Sequence, residues 1–438
     1  MKGLNRGRHH AMRILFLSHF IPHPPTGGAS LRNFNLIKQL ACGNELHLLT
    51  FTQTNRHPTT EHIERSRQAL ASYCRQIEIV DVPSDRSRLR WCALLALNAF
   101  APQPYSAWRF RSRRMLEAID WHLDRFRYDL VHVDTIALAG YLPHLRGLPA
   151  VLNHHNVESA LLLRRAATER NPAVRAYIAL QGWKLRRAET RALTAFDGNI
   201  AVSALDKAEL SARAPTANIT VIPNGTDTRF FRPQPADESG PSLVFAGTMA
   251  WYPNADAMEF FARKIWPLIK RRVPGVTMNL IGASPPAEVR RLGERDPSFR
   301  VLGFVDDVRP YIAQAAVYVV PIRVGGGTRL KILDAMAMGK AIVSHPIGAE
   351  GLDLAQDKEI LIAAEPERFA QQVVALLHDR SRRQQLARAA RARAVASYAW
   401  DRIAPRLERC YRDVTAARHG TGRQSAATAH AGPPNEHA

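Results

Sequence analysis

Cysteine is scarce: the 438-residue chain has four, Cys42, Cys74, Cys92 and Cys410, with no Cys-x-x-Cys pair and no ligand spacing. That argues against a disulfide framework or a cysteine metal site and fits the reduced thiols of a cytoplasmic protein. Long apolar runs are missing as well. Stretches such as Trp91 to Phe100 fall far short of the roughly 20 residues that cross a bilayer. The segment from Met1 to Ala11 is polar and basic and lacks the apolar core of a signal peptide, and Met12 is a candidate start because a strand pattern follows it at once. Acid is short: 39 Asp and Glu face 60 Lys and Arg, a formal net charge of +21. Such a surface suits nucleic acid, anionic lipid or phosphorylated substrates. Most of the cations are Arg, an excess that genome composition alone can produce. No helix-turn-helix, zinc-finger or RNA-binding signature accompanies the charge, so nucleic acid is not an expected partner. No Asp-x-Asp triplet occurs, Asp306 and Asp307 are merely adjacent, and His9-His10 and His154-His155 lack metal-ligand spacing. No metal and no other cofactor is therefore expected.

What the chain does have is apolar material, 46% of its residues, and a regular alternation of strand-like and helix-like segments. Arg13 to Ser18, Glu45 to Phe51, Ile77 to Val82, Asp129 to Asp134, Pro149 to His154 and Asn199 to Ser203 read as strands, with helical patterns between several of them. Near-continuous apolar strands of this kind belong to a parallel sheet covered on both faces. The series then restarts at Ser242 to Gly247 and continues through Thr277 to Gly282, Phe299 to Gly303, Val317 to Pro321 and Ala341 to Ser344. The predicted organisation is an α/β chain of two doubly wound, Rossmann-like domains, over residues 12–215 and 242–396. Residues 216–241 form the linker region, 397–417 a C-terminal helix expected to pack back on the N-domain, and 418–438 a disordered tail with no apolar period.

The most informative stretch runs from Pro321 to Lys340. A strand, Val317 to Val320, leads into Gly325-Gly326-Gly327, and a helix is predicted to begin near Thr328. Glycines between a strand and a helix start let backbone N–H groups approach a phosphate. Arg329 and Lys331 add cations there, and Asp334 adds a carboxylate one turn on. These groups suit a sugar nucleotide: donors and cations for a diphosphate, an acid for hydroxyls.

Taken in order, several landmarks resemble the GT-B glycosyltransferases, and among them the retaining family 4. They are Pro24-Pro25-Thr26-Gly27-Gly28, His154-His155-Asn156-Val157-Glu158, Ile222-Pro223-Asn224-Gly225-Thr226-Asp227, Gly303-Phe304-Val305-Asp306-Asp307-Val308 and the glycine loop itself. The resemblance covers about Met12 to Arg412. It implies two domains facing a cleft, with Gly27 and Gly28 near the donor diphosphate and His155 near the transferred sugar. It further implies Val305 at the nucleobase, Thr328 at the start of a helix aimed at sugar and phosphates, and Asp334 on the ribose hydroxyls. Two departures stand out. The family often carries an acid eight positions before the second one, and here Gly326 stands in that place, leaving the backbone of Gly326 and Gly327 to do part of its work. The family also often has cations after the first strand of the second domain. Here Gly247 is followed by Thr248-Met249-Ala250-Trp251, and Arg329 and Lys331 are the proposed substitutes, Arg323 less so.

Breaking the bond between an anomeric carbon and a diphosphate builds negative charge on the leaving group, and stabilising that charge is worth most. The sequence-based assignment is Arg329, Lys331 and His155 as catalytic residues. Gly27, Gly28, Gly247, Val305, Gly326, Gly327, Thr328 and Asp334 are assigned to the donor. The expected partners are a UDP- or GDP-sugar and a glycan or lipid-linked acceptor, in cell-surface or exopolysaccharide synthesis. An anionic membrane surface is a further candidate partner. From Arg86 to Arg127 nine arginines face three acids, with Trp91, Phe100, Tyr105, Trp108 and Phe110 interleaved, and from Arg164 to Arg191 eight cations face two acids. The expected location is cytoplasmic, with peripheral attachment to the inner face of the membrane as an option. Two other readings stay open: a basic nucleic-acid-binding protein, and an inactive glycan-binding relative of the GT-B enzymes, which Gly326 keeps in play.

Overall fold

In a computed structural model, residues 11–53, 59–235 and 240–429 are described. The chain divides into two compact units, one of residues 1–222 with 404–438, the other of Pro223–Ile403. Each is a parallel sheet with helical crossovers, the Rossmann-like arrangement expected from the alternation.

The strands of the first unit are β1 (Arg13–Ser18), β2 (Glu45–Thr52), β3 (Gln76–Asp81), β4 (Leu130–Val133), β5 (Ala150–His154), β6 (Gly198–Ala201) and β7 (Ile219–Val221), in the order β3-β2-β1-β4-β5-β6-β7. Every pairing is parallel, with Ile14 beside Leu46 on one side and beside Leu130 on the other. Ile14, Leu15, Phe16 and Leu17 are all buried, as a strand covered on both faces requires. Helices α1 (Gly28–Leu40), α2 (Arg88–Ala99), α3 (Glu158–Thr168) and α4 (Pro172–Ala195) belong to this unit. The unit runs to Ile222, not to residue 215. The short strand β7, taken from sequence as linker, pairs Asn199 with Ile219 and Ala201 with Val221 and so extends the sheet.

The second sheet has the strands β8 (Ser242–Ala246), β9 (Thr277–Ile281), β10 (Phe299–Gly303), β11 (Val317–Val320), β12 (Ala341–Ser344) and β13 (Leu361–Ile362), in the order β10-β9-β8-β11-β12-β13, again all parallel. Its core includes Phe245, Phe261, Tyr318, Met336 and Phe369, all fully or almost fully buried. Helix α5 (Leu330–Ala337) follows β11. It begins two residues later than the sequence suggested. Gly325 and Gly327 hold φ of 100° and 76°, and Arg329 is still extended at φ −89°, ψ 98°. Thr328 is therefore in the loop, its hydroxyl oxygen accepting from the Asn224 side-chain amide.

The last described helix, α6, spans Trp400–Ala429. From Ala404 on it belongs to the first unit, where the Tyr411 hydroxyl lies 2.7 Å from His132 Nδ1 and Val414 packs over Gly198. Up to Ala429 the tail is thus helical where disorder was expected. Alanines 416, 417, 426, 427 and 429 favour propagation of a helix already fixed by packing upstream. The expected disorder of residues 430–438 lies outside the described residues.

Strand order reverses in each sheet, between β1 and β4 in the first and between β8 and β11 in the second. Ligands of open α/β sheets bind beyond the carboxyl ends of the strands at such points. His19, Asp134 and His155 follow β1, β4 and β5. Gly247, Val305 and the loop before Arg329 follow β8, β10 and β11.

Candidate functional site

In the second unit the site is built around Lys331. Its position in the first turn of α5 sends the side chain back towards the end of β8. Nζ donates a 2.9 Å hydrogen bond to Asn254 Oδ1 and stands 3.9 Å from the centroid of the Phe245 ring. A Cβ on Gly247 would lie 2.4 Å from that Nζ, and Gly247 has φ 157°. The absence of a side chain at 247 is what admits the ammonium. Gly282 serves the same approach one strand over, since a Cβ there would come within 2.0 Å of the Gly247 carbonyl oxygen. An ammonium carried by α5 thus stands at the end of β8. Burial holds the Lys331 pKa well below the usual lysine range, and the Arg329 charge pushes the same way.

Arg329 caps α5 and turns its guanidinium onto the glycine loop, donating to the Gly326 carbonyl. Arg323 points elsewhere. It forms a two-pronged ion pair with Asp256 at 2.8 and 2.9 Å and stacks on Phe260. Asp334 accepts a 2.7 Å hydrogen bond from the Thr226 hydroxyl. Burial pushes its pKa up to about 7, with Thr226 opposing and Asp227 adding to the rise. Gly326, Gly327 and Thr328 lie together in the loop before Arg329, each partly exposed. Val305, after Gly303 at φ 69°, is partly exposed beside the outward-facing Phe304.

In the first unit the centre is Asp134, which is fully buried and which the sequence analysis did not single out. One carboxylate oxygen accepts from His155 Nε2 at 2.6 Å and the other from His19 Nδ1 at 2.5 Å. Burial alone would raise the Asp134 pKa. The two imidazoles outweigh it and hold the group well below its ordinary value. His155, the residue expected here, is therefore one arm of a His–Asp–His cluster. The missed residues carried a signal, since each immediately or nearly follows the carboxyl end of a strand.

A cavity of about 290 Å³ opens beside this cluster, lined among others by His155, Glu158, Tyr105, Gln181, Leu161 and Leu185. Glu158, the first residue of α3, accepts from the Thr135 hydroxyl at 2.9 Å, and burial pushes its pKa up to about 7. Gly27 and Gly28 stand at the start of α1. The Gly27 N–H is already used, donating to Ser30 Oγ at 2.9 Å. Gly28 is exposed. Arg32 of α1 is buried to 1% exposure and donates to Asn153 Oδ1 and the Ile222 carbonyl. Among the described residues no three of His, Cys, Asp and Glu gather as a metal set, and no helix is long and apolar enough to cross a membrane.

The mannosyltransferase of Mycobacterium tuberculosis called GDP-mannose-dependent alpha-(1-6)-phosphatidylinositol monomannoside mannosyltransferase is 28% identical over 232 residues, 48% of this chain and 59% of the relative. The chain thus matches less than two thirds of that curated relative's length. Among solved structures, the sucrose-phosphate synthase of Thermosynechococcus elongatus superposes with a TM-score of 0.68 at 18% identity, covering 92% of this chain and 100% of that one. Anabaena HepE in complex with UDP superposes at 0.61 and 16% identity, covering 91% and 99%. Residues 26–230 match the family model described as Glycosyltransferase Family 4, and residues 240–379 the one described as Glycosyl transferases group 1. With both models matched in sequence and two parallel-sheet Rossmann-like units beneath them, the chain belongs to the family 4 glycosyltransferases of the GT-B fold.

Proposed function

We propose that this protein is a hexosyltransferase that moves a sugar from a nucleoside-diphosphate donor to a hydroxyl of a glycan or lipid-linked acceptor, with retention, in the synthesis of a cell-surface glycan. The observation that carries the reading is Lys331, whose ammonium sits at the end of β8 against a glycine that leaves it room. A buried ammonium whose charge is disfavoured by its surroundings gains most from an anion, and a leaving diphosphate is one. In the reaction the bond from the anomeric carbon to the diphosphate oxygen breaks and a bond from that carbon to the acceptor oxygen forms. The acceptor proton passes to the leaving phosphate oxygen. Lys331, Arg329 and the first turn of α5 stabilise the charge, so no divalent metal is required of the reaction. Gly247, Gly326, Gly327 and Thr328 are assigned to the phosphates and the sugar, Val305 to the base, Asp334 to the ribose, and Gly27 and Gly28 to the diphosphate. His155, held by Asp134, orients the reacting sugar and acceptor.

The donor is a GDP- or UDP-sugar: the mycobacterial relative is named for GDP-mannose, and the solved Anabaena protein holds UDP. We place the protein in the cytoplasm at an anionic membrane face, a reading supported by its exposed arginines and by the phosphatidylinositol glycolipid in the relative's name. The test is thermal stabilisation by UDP-, GDP- and ADP-sugars with a chelator present. A ligand that binds only the native state raises the melting temperature with its excess over Kd. A shift with one base, reduced in Asp334→Ala, is expected. No shift with any nucleotide sugar would overturn the assignment.

A further inference from the structure

Helix α2 is built inside out. Leu89, Cys92, Ala93, Ala96, Leu97 and Phe100 recur at the i, i+3, i+4, i+7, i+8 and i+11 spacing of one helical face, ending on the residue that closes the helix. In a water-soluble helix that face packs inward. Here every one of these residues is exposed, Leu89 to 83%, Leu97 to 64% and Phe100 to 93%. The opposite face carries Asn98, which is completely buried. Its side chain donates to the Gln103 carbonyl and accepts from Gln181 Nε2, both at 3.0 Å. Lys184 of α4 donates to the carbonyls of Asn98 and Ala99, and the Tyr177 hydroxyl to that of Leu95. The helix is thus fastened by polar contacts and presents its apolar face to solvent.

The surroundings say what covers it. On α4, Trp183 is 53% exposed with the Arg187 guanidinium 4.6 Å above its ring, and Val174 is 41% exposed. Arg90, Arg175, Arg186 and Arg187 are exposed on the same two helices. Pairing this face with its own copy about a two-fold axis would set like charges against each other. An anionic bilayer offers an apolar interior and a negative rim, the complement of both features. We propose that α2, with the neighbouring part of α4, lies in the interface of an anionic membrane, its Leu89–Phe100 face among the acyl chains. The chain leaving α2 lines the His155 cavity through Pro104, Tyr105 and Ser106, so a membrane-held acceptor would meet the site next to this helix. That last step rests on the transferase reading; membrane binding does not.

The experiment uses the full chain in flotation with vesicles of phosphatidylcholine, with and without phosphatidylglycerol. Cys92 lies on the apolar face and, with the other exposed cysteine changed (Cys42→Ser), takes an environment-sensitive fluorophore. Expected are binding that depends on phosphatidylglycerol, a blue shift of the probe on binding, and at least a tenfold loss of binding in Leu97→Gln/Phe100→Gln with the melting temperature unchanged. Vesicle binding with no probe shift and no loss in the double variant would mean charge alone, and would overturn the proposal. So would a concentration-dependent dimer abolished by the same variant. Donor stabilisation, measured separately on the same samples, reads the transferase assignment: a chain that binds vesicles but no nucleotide sugar sinks that assignment and leaves α2 in the membrane.

Discussion

Replacing Lys331 by Met separates a catalytic charge from a structural one. In the free protein the ammonium has an Asn254 hydrogen bond and the Phe245 ring, set against the cost of its burial. The hydrogen bond to a charged group contributes about 1.5–3 kcal/mol and the ring about 0.5–2 kcal/mol. Desolvation of the charge is of similar or greater size, and a methionine of similar length fills the same space with no such cost. The free variant should therefore melt within a few degrees of the parent, or above it. In the reaction the lost charge is not replaced. An ion pair about 4 Å apart at an effective dielectric of 20 is worth about 4 kcal/mol, and removal of a single electrostatic stabiliser costs about 10²–10³ in kcat. Lys331→Met should thus lose about two to three powers of ten in kcat with thermal stability preserved. The pH dependence has a definite sign. Because the Lys331 pKa is lowered on folding, the unfolded chain binds the extra proton, so this group's contribution to stability rises with pH. Donor affinity should run the other way, falling as pH rises through the lowered pKa and the charge is lost. The assay is single-turnover transfer at saturating donor, beside a melting curve. Unchanged turnover with bound donor would refute the argument. So would a stability loss well above 3 kcal/mol, which would make Lys331 a structural residue.

Two more perturbations test the first unit. Asp134→Asn leaves His155 and His19 without their shared carboxylate and should destabilise the protein by about 3 kcal/mol near neutral pH, as breaking a buried pair does. Because the Asp134 pKa is depressed, its stabilisation exists above the unfolded value of about 4 and is lost as pH falls below it, so calorimetric scans should show the melting gap closing in acid. Glu158→Gln should do the opposite. A pKa raised to about 7 favours the folded state at low pH and costs it as pH rises from about 4.5 to 7, so the variant should gain about 2.5 kcal/mol relative to the parent between pH 5 and pH 8 in urea unfolding.

Much of the architecture was legible because apolar runs of four to six residues, such as Ile14 to Leu17 and Val317 to Val320, have one comfortable home, a sheet covered on both sides. The glycine loop was legible for a related reason: positive φ at Gly325 and Gly327 demands glycine, and the demand is written in the letters. Strand β7 was not, because three residues of pairing carry too little periodicity to separate from a linker. Asp134 was hidden by its surroundings. Nothing in Val133-Asp134-Thr135 announces a carboxylate holding two imidazoles, since His19 and His155 are distant in sequence and meet only where three strands end together. Lys331 stood among the candidates, but its destination did not. That depends on Gly247, 84 positions earlier, having no side chain. Local sequence carries local conformation, and the site is assembled from long-range coincidences.

Gly326 poses the remaining question, because a glycine stands where the family often places an acid. Of the three successive glycines, Gly325 and Gly327 have φ of 100° and 76°, where an L side chain is strained, while Gly326 is not among the positive-φ residues. The backbone thus requires glycine on both sides of position 326 but not at it. Glycine there puts no side chain on the loop between those two positions. It also leaves the Arg329 guanidinium to meet the Gly326 carbonyl and not a carboxylate. Gly326→Glu should therefore fold with a melting temperature within a few degrees of the parent, since the position carries no left-handed strain. The new carboxylate should draw Arg329 into a pair and lower the positive field at the diphosphate, which at ~1–3 kcal/mol for a partly buried pair is about a tenfold loss of donor affinity. If the glycine is instead a lost sugar contact, the acid should restore binding. Titration of the variant with the donor that stabilises the parent decides between them: weaker binding supports a loop built around Arg329, and tighter binding refutes it.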